Sequence, residues 1–370
     1  MINRGVLLLI ITIFYTGIQA QELNLDWAQS EGGTSYDFAR STVVDNYGNV
    51  YMIGCFSNTV VFGSGGDEDT YTSEGGYDLF IEKRDASNNL LWLKVFQGDG
   101  NIIVNNAING TDNSIYLTGI FFGTADFDPT DEDLLKTSNG ESDGFLMKLS
   151  AEGDLLWVNT YGSTGADFLS GIVLGHDNGI YVTGAFSNSV LFGSAGTWSS
   201  AGMLDGFMLK VDAFGTEEWL SRIGGNGDDN IITIDVDENN EFVLAGVFSE
   251  NLTLHYSEGS EEFTVTGEDG GDMLLIKSKA DGNFIWGKQL GNENPYEYFN
   301  RVVCDNENNI YLSGAFSGML DFDPDPVSEE ILDAGGLTDA FLLKLTDGGE
   351  FVWVNQIGAN SSDDYPGGLC

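Results

Sequence analysis

The chain has 370 residues, 58 of them acidic and 14 basic, for a formal net charge of −44 at pH 7. Such a surface repels phosphate backbones and anionic lipid, so nucleic acid and membrane surfaces are disfavoured as partners. Hydrophobic residues make up 42% with 24 Phe and 14 Tyr, which excludes a disordered acidic tail, while 50 Gly and five Pro suit many short strands joined by tight turns.

Residues 1–20 read as a signal peptide. Arg4 precedes the apolar run Gly5 to Ile18, and Gln19-Ala20-Gln21 offers a small residue for cleavage after Ala20. The run is short for a membrane span, which needs about 20 residues, and a retained anchor helix is the alternative. No Cys follows the cut, so a lipoprotein signal is not expected. The mature chain is expected to be secreted, extracellular or on the cell surface, without membrane insertion once the leader is removed.

From residue 21 to 370 the chain copies one unit. Its marker is a tryptophan: Trp27, Trp92, Trp157, Trp219, Trp286 and Trp353, spaced by 65, 65, 62, 67 and 67 residues by subtraction. The repeat overrides the length prior of two ordinary domains, because repeated units stack into one body. Counted from Trp to Trp, the units lie near 27–91, 92–156, 157–218, 219–285 and 286–352, with a partial one at 353–370.

Each unit predicts four strands. The first ends at Asp45, Asp112, Asp177, Asp237 or Asp305, and an Asn/Gly-rich turn follows. Those residue types tolerate the positive φ of short hairpin loops. The second strand (NVYMIGCF, SIYLTGIF, GIYVTGAF, EFVLAGVF, NIYLSGAF) carries a recurrent glycine at Gly54, Gly119, Gly184, Gly246 and Gly314. Two residues on stands Phe56, Phe121, Phe186, Phe248 or Phe316. Glycine weakens a strand, so its recurrence predicts close approach of a neighbouring backbone or ring. A variable segment follows and predicts a small extra hairpin.

The third strand starts at Asp78, Asp143, Asp205, Asp272 or Asp339 and carries Lys83, Lys148, Lys210, Lys277 or Lys344 near its end. A lysine there is expected to lay its stem on apolar surface and pair with a carboxylate. The fourth strand carries the Trp, expected to fill one structural gap per unit. Cys55 stands in the slot of Ala185 and Ala315, and Cys304 in that of Val44; with Cys370 the count is odd, so no disulfide framework is expected.

Four antiparallel strands, apolar on both faces and copied head to tail, describe a propeller blade. The predicted fold is all-β: a β-propeller of roughly 65-residue four-stranded blades, with five full units and the start of a sixth. An open β-solenoid is the runner-up.

The strings GFLMKLSAEGDLLWV and DNGIYVTGAF resemble the SBBP-type β-propeller repeat of secreted bacterial proteins, abundant in Bacteroidetes. The resemblance covers about residues 22–366. It implies a secreted propeller and no particular activity. Relatives often end in a type IX sorting domain, which this sequence lacks. The Trp strand occurs six times and the other strands five, so the sequence is expected to be a fragment of a longer protein; a five-bladed ring is the alternative.

The two tight turns of a blade fall on one rim. The long acidic connections fall on the other, and variable loops on a rigid scaffold place the expected binding face there. Two loops alternate carboxylates: Asp126 and Asp128, and Asp321, Asp323 and Asp325. Such a pattern can chelate Ca²⁺, yet neither loop has the Gly and Glu of an EF-hand, and Asp before Pro is an ordinary turn former. No cofactor is otherwise expected. His176 and His255 lack triad or zinc partners at a recognisable spacing, so no catalytic residue is assigned. Trp198, Tyr296 and Tyr298 lie outside the core repeat and could stack on a sugar. The expected function is a non-enzymatic scaffold for extracellular protein or polysaccharide binding. An extracellular polysaccharide hydrolase or lyase and a purely structural surface element are the alternatives.

Overall fold

The computed structural model describes residues 32–367 and 369, apart from 34, 64–68, 131, 257–258, 266–270, 292–296, 336 and 359–362. The leader, Trp27, Tyr296 and Cys370 lie outside the described residues. Residues 31–370 cluster as one compact unit.

Among the described residues, five blades of four antiparallel strands follow one another, the fourth blade lying within a six-stranded sheet that also takes in its hairpin. Blade 1 comprises Asp37–Val44, Val50–Phe56, Asp78–Arg84 and Leu90–Phe96. Blade 2 comprises Ile102–Asn109, Ile115–Phe121, Asp143–Leu149 and Leu155–Tyr161. Blade 3 comprises Phe168–Leu174, Ile180–Leu191, Thr197–Val211 and Glu217–Ile223. Blade 4 comprises Asp229–Val236, Glu241–Phe248, Asp272–Lys279 and Phe284–Leu290. Blade 5 comprises Glu297–Cys304, Ile310–Phe316, Asp339–Leu345 and Phe351–Ile357. Within each blade these four strands lie in chain order, and the first strand of each of blades 1 to 4 packs on the first strand of the next. That is propeller architecture: sheets packed face to face, inner strand against inner strand. The four strands of each blade end on the Trp strand, so the Trp-to-Trp interval gives the period while the blades run from 37 to 96 and onward in step.

Local chemistry explains the turns. Asn113, Asn178, Asn240 and Asn308 hold φ of 59–64° in the first turns, and Gly48 takes that place in blade 1. The preceding Asp closes the turn: Asp305 Oδ1 accepts from the backbone of Glu307 and Asn309 at 2.9 and 2.8 Å. This is the Asx geometry that makes Asp and Asn good turn formers.

The recurrent strand glycine has a definite cause. Every first strand carries a register shift, a β-bulge, starting at the residue opposite the glycine: Ala39, Val104, Leu169, Ile231 and Phe299. A Cβ on Gly119 would sit 2.2 Å from Ile103 O and 2.6 Å from the Phe145 ring. Gly54 and Gly314 are as confined, by Phe38 O and Tyr298 O and by the rings of Phe80 and Phe341. The bulge bends the inner strand and pushes a carbonyl into the space a side chain would need.

The variable segment forms a hairpin in every blade, of which Thr124–Asp126 with Leu135–Thr137 is typical. In blade 3 it prolongs the second and third strands, and in blade 4 it joins the sheet edge through Tyr256 and Phe284. Ring contacts anchor it. Phe127 lies 5.4 Å from Phe121 and 5.2 Å from Phe145. Phe62, Phe192 and Phe322 repeat this in blades 1, 3 and 5. The second-strand Phe therefore caps a small aromatic core under each hairpin.

The tryptophans, expected to fill one gap per unit, are not fully buried. Trp92, Trp157, Trp219, Trp286 and Trp353 are all half-buried, because the fourth strand is the outermost one. Four of them reach the following blade. Trp92, Trp157 and Trp286 donate Nε1–H to Ala151 O, Ala213 O and Asp347 O at 3.1, 3.2 and 3.3 Å. The rings lie on Gly153, Gly215, Gly282 and Gly349, each at φ of 78–86° in the next blade's second turn. Residues 363–367 continue the pattern after blade 5. Asp363 pairs in parallel with Thr338, as Ala166 does with Ser142, and Asn300 Nδ2 donates to Gly367 O at 2.7 Å.

Among the described residues, no helix is long and apolar enough to cross a membrane. Cys55 is buried and Cys304 half-buried, both free thiols, consistent with small packing positions.

Candidate functional site

The first-turn rim is a structural network. Each third-strand lysine reaches back to the first-turn aspartate: Lys83 to Asp45 at 3.2 Å, Lys148 to Asp112 at 3.1 Å, Lys210 to Asp177 at 2.8 Å and Lys344 to Asp305 at 3.9 Å. The ammonium sits over the ring of Tyr51, Tyr116, Tyr181 or Tyr311 at 4.7–5.5 Å. Burial works against the ionised form of Asp45, but hydrogen bonds from Asn49 hold its carboxyl below the usual range. Turns of adjacent blades also touch. The backbone N–H groups of Asn46, His176 and Glu238 donate to the side chains of Asn113, Asn240 and Asn308. His176 is thus a turn residue.

Lys277 is the extreme case. Its Nζ lies 2.8 Å from Asp237 and 3.1 Å from Glu241, and it also bonds Asp347 of blade 5. Those carboxylates form the one group of three acids among the described residues with metal-like spacing. The lysine ammonium already fills it.

The opposite rim holds buried aspartates at the start of every third strand. They organise the loops before them. Asp143 accepts from Asn139 N–H at 3.0 Å, Asp78 from Glu74 N–H at 3.0 Å, and Asp205 from Ala201 N–H at 2.9 Å. A second aspartate enters from the next blade. Burial pushes Asp143 up to about 6, helped by the Asp167 charge; burial pushes Asp229 up to about 7, helped by Asp205. Asp205 Oδ1 is buried without a hydrogen-bond partner. These carboxyls are buried and are spent on the loops around them.

Open space lies between successive hairpins. The groove between blades 1 and 2 has a volume of about 640 Å³, with Tyr71, Leu93 and Lys94 on one wall and the 124–135 hairpin on the other. It gathers Asp126 and Asp128 with Glu74, Asp99 and Asp133. Asp126 Oδ1 accepts from Asp128 N–H and Leu134 N–H, and Asp128 Oδ1 from Thr130 N–H and Oγ1. In blade 5, Asp321 Oδ1 accepts from Asp323 and Glu330 N–H, Asp323 Oδ1 from Asp325 N–H, and Asp325 Oδ1 from Val327 N–H. All five candidate calcium ligands thus commit one oxygen to shaping a turn around a buried Phe127 or Phe322.

The corresponding groove between blades 3 and 4, about 530 Å³, is chemically different. Trp198, Arg222, Asn226, Asn251, Thr253, His255 and Glu262 line it, and His255 is exposed. Trp198 packs partly on the blade 3 core and donates Nε1–H to Ala195 O at 3.1 Å, which fixes the ring. Arg222 Nη1 bonds Asp205 Oδ2 at 2.9 Å and Ser199 O at 3.4 Å. Sequence reasoning singled out Trp198 and His255 but missed Arg222. Its signal is positional: Gln289 and Gln356 occupy the same place, three residues after the Trp.

Fold and grooves together define a β-propeller repeat protein with ligand-sized clefts on its hairpin-bearing side. No family model matches the chain. It is similar to an uncharacterised WD repeat-containing protein of Acanthamoeba polyphaga mimivirus, 21% identical over 312 residues, covering 70% of this chain. The chain spans only 22% of that protein's length. Similar solved structures include a Lactobacillus plantarum protein at 12% identity and TM-score 0.37, covering 86% of this chain and 88% of that one. Another is the virginiamycin B lyase of Staphylococcus aureus at 11% identity and TM-score 0.31, covering 74% and 90%. A member of the duf4221 family from Bacteroides vulgatus stands at 11% identity and TM-score 0.35, covering 87% of each chain.

Proposed function

We propose that the protein is an exported, non-enzymatic scaffold of the SBBP type that binds an extracellular protein or glycan between its blade hairpins. One observation carries this reading. The inter-blade contacts repeat from blade to blade, whereas the hairpins differ in length, charge and aromatic content and line the grooves between blades 1 and 2 and between blades 3 and 4. Variation on a constant frame is how binding surfaces are built.

Export rests on the leader-like residues 1–20 and on the resemblance of the repeat. The reading needs no cofactor, and a rise in melting temperature with added Ca²⁺ would instead assign an ion to the Asp126 and Asp128 loop or to the Asp321 to Asp325 loop.

The test has two arms. Expression with residues 1–20 intact, followed by fractionation, should place the chain outside the cytoplasm. Purified protein on protein and glycan arrays should retain a ligand without consuming it; release of reducing ends would replace the scaffold with an enzyme.

A further inference from the structure

We infer that the groove between blades 3 and 4 binds a pyranose unit of a neutral polysaccharide, stacked on Trp198 and hydrogen-bonded by Arg222. The inference rests on the scaffold reading above and names its ligand class.

Arg222 departs from its counterparts in blades 4 and 5. Residues 222, 289 and 356 pair with Phe207, Leu274 and Phe341 at the same place in the third and fourth strands. In blades 4 and 5 a glutamine stands there. Gln289 Nε2 donates to Thr264 O at 2.7 Å and to Asp272 Oδ2; Gln356 Nε2 donates to Asp333 O at 2.8 Å and to Asp339 Oδ2. An amide nitrogen has two hydrogens, so this job uses a glutamine's donors completely. Arg222 does the same job from Nη1 alone, to Ser199 O and Asp205 Oδ2. Its Nε and Nη2 groups keep three N–H donors without a protein partner among the described residues, and the side chain lines the groove. Blades 1 and 2 carry Val95 and Thr160 there, and in blade 1 Gln97 makes the equivalent bonds to Thr72 O and Asp78 Oδ2. Where the job is done from this position an amide suffices, and the arginine supplies a surplus.

Around that surplus the groove supplies what a sugar ring requires. Trp198 offers a ring already immobilised by its own hydrogen bond. Glu262 is an acceptor; Asn226, Asn251, Thr253 and His255 offer both functions. A pyranose presents an apolar face of C–H groups, which an indole covers, and vicinal hydroxyls that donate and accept together. A volume of about 530 Å³ holds one or two such rings. Charge selects among sugars. At a net charge of −44 the protein repels a polyanion, so uronate polymers are disfavoured and uncharged ones are not.

Affinity electrophoresis through gels containing laminarin, hydroxyethylcellulose, dextran, alginate or polygalacturonate tests this. At least one of the three neutral polymers should retard the wild-type protein, and the two uronates should not. Trp198→Ala should weaken that retardation about tenfold or more. Arg222→Gln installs the residue used in blades 4 and 5, so it should keep the wild-type melting temperature and lose at least about fivefold in affinity. The inference is overturned if no neutral polymer retards the protein, if the uronates retard it more, or if both variants bind as wild type does. A protein partner captured equally by wild type and both variants would sink this inference and leave the scaffold reading standing.

Discussion

The indole of Trp157 lies on Gly215 of the following blade and donates Nε1–H to Ala213 O at 3.2 Å. A Cβ on Gly215 would stand 2.9 Å from the Trp157 ring, and its φ is +86°. Two independent restrictions therefore meet at one glycine: left-handed backbone and contact with an aromatic face. Gly215→Ala should cost about 1–3 kcal/mol. Trp157→Ala removes a half-buried ring and a hydrogen bond and should cost on the order of 2–3 kcal/mol. Urea melts of both variants and of the pair check this. The double variant should cost clearly less than the sum, because both changes break one contact; strict additivity would show that the ring and the turn do not act together.

The bulge glycines set a harder limit. In Gly119→Ala the new methyl meets a backbone carbonyl at 2.2 Å, and a carbonyl in a bulged inner strand cannot swing aside as a side chain would. The variant should lose more than about 3 kcal/mol or fail to fold. The control is Gly196→Ala: nothing lies within 4 Å of its added methyl, so it bears only the backbone cost of φ +95°. Equal stability of the two variants would refute the steric account.

Repetition inside a single chain made much of this legible. Five copies of one glycine announced a close approach, and the positive-φ asparagines of the first turns fall where the Asn/Gly pattern put them. The pairing of each third-strand lysine with an aspartate followed from the same comparison. What the sequence could not show was which blade each side chain serves. Trp92 reads as a residue of its own strand, but its hydrogen bond goes to Ala151, 59 residues on. The acidic loops were readable as acidic and no further, because an aspartate that caps a turn and one that awaits an ion are spelled alike. Arg222 was hidden for the opposite reason: its meaning lies in its difference from Gln289 and Gln356, visible only once the strands are in register.

Stability should fall as pH rises from about 4 to 8. Asp143 and Asp229 titrate in the folded chain near 6 and 7, against 3.8 for a free aspartate, chiefly because burial disfavours the charge. Between these values the unfolded chain has released protons that the folded chain retains. Their contribution is complete below about 3.8 and is lost as pH climbs through 6 and 7. For Asp229 the loss is on the order of a few kcal/mol. Asp45, Asp112 and Asp177 work in the other sense: their carboxyls are held low by hydrogen bonds and lysines, and their contribution disappears below about pH 4. The melting temperature should therefore peak in mildly acidic buffer. Asp229→Asn should flatten the decline between pH 5 and 8, whatever it does to stability at one pH. A melting temperature that climbs across that interval would contradict the assignment.

Lys277 should behave unlike its counterpart Lys344. Its ammonium is almost wholly enclosed, at 2% exposure, and answers Asp237, Glu241 and Asp347 together. Lys344 reaches one aspartate at 3.9 Å from a more open position. Removing a buried charge strands its partners, so Lys277→Ala should cost about 3–5 kcal/mol. Lys344→Ala should stay within about 1 kcal/mol. The lost stability should be recoverable by an ion. Without the lysine, three carboxylate oxygens remain within 4.8 Å of one another, a spacing a divalent cation can bridge. Adding CaCl₂ should raise the melting temperature of Lys277→Ala well above any shift in the wild type, because only the variant has the cage vacant. If both shift equally, the ion acts away from the cage, which is then too rigid or too crowded to exchange one cation for another.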